Sequence, residues 1–192
     1  MKEDFIEFMQ YLKEACKNMK DKDYFQINNS GSEIPIYRER IYCYELYHQL
    51  RCVLGDSTTY KLQSEPDKRG HRIIEGGCNP DFIFHKPGTM DQNLVVMEVK
   101  KVDSKTNEIR SDIKKLKKFL EKHYHWAIML IYGDGHSELP ENIKYLIKYS
   151  SNEYPNKLFF IWHPGPNIEP EIFNGKMIDR KLTSEKFDNV LS

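Results

Sequence analysis

The chain has 192 residues, 39% of them apolar and 30% charged, enough for one α/β unit with a proper core. Lysine plus arginine and aspartate plus glutamate both number 29, so no global charge draws the protein to nucleic acid, and any basic surface must arise locally. The charged N-terminal stretch is not a signal peptide and no apolar run is long enough to cross a bilayer, so a soluble, cytoplasmic protein with no membrane partner is expected.

In chain order, Phe5, Phe8, Met9, Leu12, Cys16 and Met19 recur at helical intervals and predict one amphipathic helix. After the polar loop INNSGSEIP, residues 36–54 predict a second helix. Its inner face carries Ile36, Cys43, Tyr47, Leu50 and Leu54, and its outer face carries Glu45 beside Arg38, Tyr42, His48 and Gln49. Residues 55–70 are polar and read as a loop or weak strand, followed by a short strand HRIIE and a break at GGCNP. DFIFH and NLVVMEVKK are two strands joined through KPGTMDQ, with the turn near Thr89 and Met90. Ile109, Ile113, Leu116 and Leu120 mark another helix, with Ser104 or Thr106 as its cap. WAIMLIYG reads as a strand, PENIKYLIKYSS as a helix that Pro140 opens, and KLFFIW as a last buried strand; Asn174-Gly175 signals a hairpin turn. Buried-type strands flanked by helices imply an α/β fold, a central mixed β-sheet with helices on both faces, within a single domain of 1–192. Cys16, Cys43, Cys52 and Cys78 show no ligand spacing and read as reduced core or near-core residues.

The strand VVMEVKK raises the chemical question. Glu98 and Lys100 lie two apart, on one side of a strand that otherwise looks fully buried. If the preceding loop is symmetric, Asp81 falls opposite Glu98 on the neighbouring strand. Two carboxylates that close repel each other, and a divalent cation between them reverses the effect. Oxygen-only ligands suit Mg²⁺ or Mn²⁺, and Lys100 adds a cation for a phosphate oxygen or an attacking water.

Pro80-Asp81 followed by Glu98-Val99-Lys100 at the end of an apolar strand resembles the PD-(D/E)XK nuclease signature. The order of elements resembles that family's restriction-endonuclease-like αβββαβ core, over about residues 36–133. An extra N-terminal helix and a C-terminal extension, 134–192, lie outside the match. Glu45, in YELYHQLR, resembles the additional acid that many members carry on their first core helix. The resemblance implies metal-dependent hydrolysis of nucleic-acid phosphodiesters, DNA ahead of RNA. Asp81, Glu98 and Glu45 would be ligands to Mg²⁺ or Mn²⁺, with the Val99 carbonyl as a further one. Lys100 would orient or deprotonate the attacking water. Glu75, just before Gly76-Gly77, is a weaker additional candidate. Specificity would come from loops such as 55–70 or from a partner protein, and symmetric cutting of a duplex would favour a homodimer.

Plainer readings stand beside these. Glu98, Lys100 and Lys101 could be a solvated strand end, although that leaves Asp81's position unexplained. Glu45 is as readily a surface acid. Lys105, Lys114, Lys115, Lys117, Lys118 and Lys122, with Arg110, read first as the solvated face of a helix that Glu108, Asp112 and Glu121 dilute, and second as phosphate contacts. His123 and His125 have no ligand at zinc spacing, and the aromatic residues, Tyr44 among them, default to the core. No Walker A loop, dinucleotide fingerprint or GxSxG elbow is present. Two other classes stay open: a non-catalytic nucleic-acid-binding or regulatory protein of the same fold, and an interaction module whose acids hold a structural ion.

Overall fold

Helix α1 (Lys2–Asn18) and helix α2 (Glu39–Leu54) pack side by side against one face of a six-stranded sheet. The computed structural model describes residues 1–28, 35–56, 59–66, 79–89, 92–122, 124–135 and 138–174. The apolar stripe expected of α1 is buried throughout: Phe5, Phe8, Met9, Leu12 and Cys16, with Met19 just past its end. Glu3 and Asp4 in its first turn and Lys17 in its last suit the helix dipole. A two-stranded ribbon, β1 (Gln26–Ile27) and β2 (Ile36–Tyr37), precedes α2, so the second helix begins three residues later than its periodicity suggested. Gly55, at φ +60°, ends it in a conformation that costs a glycine little.

The large sheet runs in the order β3 (Lys61–Ser64), β4 (Phe82–His85), β5 (Asn93–Lys101), β6 (Tyr124–Tyr132), β7 (Leu158–His163), β8 (Glu171–Phe173). β3, β4 and β5 are antiparallel neighbours, β5, β6 and β7 are parallel, and β8 returns antiparallel. The parallel steps need crossovers, which α3 (Thr106–Glu121) and α4 (Glu141–Ser151) supply on the second face. The mixed sheet is thus covered on both sides. Along β5, Val95, Met97 and Val99 join the α1/α2 cluster, and Val96 joins the α3/α4 cluster. Among the described residues no helix is long and apolar enough to cross a membrane.

Several expectations are corrected. Tyr42, assigned to the polar face of α2, is fully buried, Leu46 joins the inner stripe, and Tyr47 packs against the same cluster while only partly buried. Tyr44 is exposed instead of packed in the core, and Cys52 is exposed, its Sγ 3.7 Å from His48 Nε2 on the next turn. The first strand of the sheet that can be described lies within the stretch taken as loop or weak strand, at Lys61–Ser64. Lys105 caps α3 without a side-chain bond, leaving neither Ser104 nor Thr106 in that role. HRIIE, Glu75, Cys78, Met90, His123 and Gly175 of the expected Asn174-Gly175 turn lie outside the described residues.

Candidate functional site

The hairpin of β4 and β5 brings Asp81 and Glu98 together. Phe82 pairs with Met97, so the next position along the ladder sets Asp81 against Glu98. Ile83 and Val96 belong to the α3/α4 cluster, and the period of two turns Asp81, Glu98 and Lys100 towards the same side. Asp81 Oδ2 accepts a hydrogen bond from the Val99 backbone N–H at 2.7 Å, which fixes the carboxylate at the entrance of its strand.

Two helices then add partners that sequence reasoning did not single out. Lys100 Nζ lies 2.9 Å from Glu39 Oε1, in the first turn of α2, and 3.2 Å from Asp112 Oδ2 on α3. It also donates to the Val99 carbonyl at 3.2 Å. Lys115, one turn beyond Asp112, reaches Glu98 Oε2 at 2.8 Å and Asp112 Oδ1 at 3.3 Å, and donates to the Asn79 carbonyl. Asp112 therefore steadies both ammonium groups. Glu98 is only 1% exposed, and its Oε1 has no hydrogen-bond partner among the described residues, so a solvated strand end does not describe it.

Glu39, Asp81, Glu98 and Asp112 supply four carboxylates and Lys100 and Lys115 two ammoniums, so the fully ionised cluster carries two uncompensated negative charges. The titration shifts follow from that imbalance. Burial, then the neighbouring Asp81, pushes Glu98 up to about 9 against the pull of Lys115. Burial raises Asp81 as well, although the Val99 N–H and both lysines oppose it. Glu39 is raised by burial and by Asp81 and Asp112, with Lys100 pulling the other way. Burial alone would lower Lys100, but Glu39, Asp112 and Asp81 hold it above the usual lysine range. Lys100 is thus a cation at neutral pH, suited to charge stabilisation and poorly suited to removing a proton. A cleft of about 420 Å³ opens beside it, lined by Glu39, Lys100, Asp112 and Ser111 among others.

Glu45 stands apart from this group. It is half-buried and accepts a hydrogen bond from Gln49 at 2.6 Å, one turn further along α2. Six residues separate it from Glu39, roughly 9 Å along the helix axis. The acid of α2 that joins Asp81, Glu98, Val99 and Lys100 is Glu39. Nothing in the local sequence marks Glu39, Asp112 or Lys115, because a charged side chain on a helix is ordinarily a solvated one.

Among the described residues no three His, Cys, Asp or Glu side chains form a ready-made metal site. The donor chemistry nonetheless fits a hard divalent cation: a buried carboxylate oxygen without a partner, a second carboxylate beside it, a backbone carbonyl at Val99 and two negative charges to offset. No protein-family model matches the sequence, and a comparison with curated proteins finds no match.

Proposed function

We propose that the protein hydrolyses phosphodiester bonds of nucleic acid with the aid of Mg²⁺ or Mn²⁺, as a PD-(D/E)XK nuclease of restriction-endonuclease-like fold, with DNA as substrate ahead of RNA. The observation that carries the proposal is the buried Glu98 set against the half-buried Asp81, with Lys100 on the same side of the strand and a cleft beside Lys100. The run α2, β3, β4, β5, α3, β6 is a helix, three strands, a helix and a strand, in keeping with an αβββαβ core. Asp81, Glu98 and the Val99 carbonyl would hold the cation, which when bound supplies Lewis acidity towards a phosphoryl oxygen and lowers the pKa of water. Lys100, kept charged by Glu39 and Asp112, orients the attacking water and stabilises charge growing on the phosphoryl oxygens. In this reading Glu39 takes the part that the sequence resemblance gave to Glu45.

A second reading is favoured by Lys115. Its ammonium already sits on Glu98, and with Asp112 and Lys100 it forms an ion network that could serve fold alone. That would suit a non-catalytic nucleic-acid-binding or regulatory protein of the same architecture.

One assay separates the two. Single- and double-stranded DNA and RNA are incubated with the protein in Mg²⁺, Mn²⁺ or EDTA, beside Asp81→Ala and Lys100→Ala. The nuclease cuts only with metal, and each substitution lowers the rate by at least about 100-fold. Nucleic acid that is bound but left intact at every metal concentration refutes hydrolysis and favours the second reading.

A further inference from the structure

The second face of the sheet ends in a surface that the proposed reaction does not use. Helices α3 and α4 lie side by side and run the same way, since Asn142 donates to Thr106 at one end and Lys117 meets Glu153 at the other, both pairs 36 residues apart. Tyr145 lies within electrostatic reach of Arg110, and because the helices run parallel, one turn further along each brings Tyr149 level with the neighbourhood of Lys114. Tyr145 and Tyr149 are 57% and 59% exposed, with ring centroids 4.2 Å apart on successive turns of α4. The other exposed large apolar side chains, Met1, Tyr44 and Ile168, are scattered singly over the described surface. Two neighbouring rings in solvent are the exception.

The charge around them is one-sided. Glu141 and Glu153 are engaged by Lys144 and Lys117, whereas Arg110, Lys114 and Lys148 are exposed and have no carboxylate partner among the described residues. Exposed rings flanked by unpaired cations match the needs of unpaired bases and their phosphates, because every base has a face to stack and every linkage a charge to neutralise. A duplex hides its base faces, and an acidic protein surface would use the cations but not the rings.

We propose that Tyr145 and Tyr149, with Arg110 and Lys114, form a stacking platform for single-stranded nucleic acid. The proposal deepens the nuclease reading by naming the form of its substrate, and rests on that reading for a role. Asp112 and Lys115 face the acid cluster from one side of α3 while Arg110 and Lys114 face the tyrosines from another, so a strand leaving the cleft crosses about one helix width, roughly 10 Å, to reach the rings.

The test is fluorescence anisotropy of fluorescein-labelled 15-nucleotide oligo-dT and oligo-U in EDTA, where no cleavage intervenes, with a 15-base-pair duplex as the comparison. Tyr145→Ala/Tyr149→Ala is expected to weaken single-strand binding by about 10-fold or more, and Tyr145→Phe/Tyr149→Phe to retain it. Duplex affinity should be unchanged. Thermal melting of both variants checks that the exposed substitutions leave the fold intact. Equal single-strand affinity in the alanine variant, or no single-strand binding by the parent protein, overturns the platform. Ring-dependent binding with no metal-dependent cutting upholds the platform and removes the nuclease reading; cutting that ignores the alanine variant does the reverse.

Discussion

At one end of the sheet the neighbouring strands β5, β6 and β7 finish in two different ways. Towards α3, β5 presents Glu98 and Lys100 to a cluster of fixed charges. Towards α1 and α2, β6 and β7 present Tyr132 and His163, which pair across the ladder and have no ion pair among the described residues, although Glu39 and Asp103 act on Tyr132 from a distance. There Tyr42 stacks on Tyr132 at 4.0 Å and its hydroxyl is hydrogen-bonded to His163 Nδ1 at 2.7 Å, with Phe25 edge-on to Tyr42 and His163. Both regions bury titratable groups, and burial acts on each by disfavouring its charged form. It pushes Glu98 up to about 9 and His163 down to about 4. The aromatic pocket keeps its histidine neutral, and the polar atoms it leaves without a partner among the described residues, Tyr132 Oη and His163 Nε2, belong to groups that are uncharged in that state. The acid cluster is content only when a carboxylate is protonated or a cation arrives.

That contrast can be broken or sharpened. The largest effect belongs to the aromatic pocket: Tyr42→Ala should cost about 3–5 kcal/mol in urea unfolding, the range for a buried aromatic ring truncated to alanine. Next comes the alkaline side of the acid cluster. A carboxyl whose folded pKa is raised binds its proton more tightly folded than unfolded, so its contribution is lost as pH rises from the unfolded value towards 9. Without metal, stability should fall by about 3 kcal/mol between pH 6.5 and 8.5 relative to Glu98→Gln, at about 1.4 kcal/mol per unit. Parallel curves for parent and variant would contradict the buried, isolated carboxyl. Mg²⁺ or Mn²⁺ at 100 times its Kd should return between 2 and 3 kcal/mol, with a larger rise in Tm at pH 8 than at pH 6 because Glu98 must lose its proton first. No shift at millimolar metal would leave the cluster as an internal ion network.

The histidine pocket should respond in the opposite direction. His163 is held below its unfolded value, so the unfolded chain binds the extra proton, and stability is lost as pH falls from about 6.5 towards 4. Between pH 6.5 and 5 the parent should lose about 2 kcal/mol that His163→Phe does not lose, measured as the slope and not the absolute stability. The smallest effect is reserved for Glu45. Glu45→Ala should alter stability by no more than about 0.5 kcal/mol and leave any cleavage rate intact, whereas Glu39→Ala should impair it. A large loss of cleavage in Glu45→Ala would restore that residue to the site.

What could be seen in the sequence was set by periodicity and short range. The strands at Phe82–His85, Asn93–Lys101 and Leu158–His163 announce themselves as apolar runs, and the helices at Thr106–Glu121 and Glu141–Ser151 by their spacing. The meeting of Asp81 with Glu98 follows from counting back along one hairpin. Glu39 reaches Lys100 across 61 positions of chain, and no local pattern encodes that contact. Asp112 and Lys115 were legible as residues and illegible as partners, because the helix that carries them looks solvated on every side but one. Tyr42 misled for a related reason: its hydroxyl suits a polar face, and its buried partners, Cys16 and His163, are distant in the chain.

Helix α1 has a consequence for anyone who would trim this molecule. The segment resembling a nuclease core begins near residue 36, yet Phe5 lies flat on Trp126 at 4.5 Å and Phe8 on Phe84 at 4.7 Å. Six side chains of α1 are sealed against the sheet, and at roughly 2 kcal/mol apiece they contribute on the order of 10 kcal/mol, as much as a whole domain's margin. A fragment cut to the apparent core would carry a bare greasy wall into water and precipitate. The shortest autonomous unit is therefore longer than the shortest recognisable one.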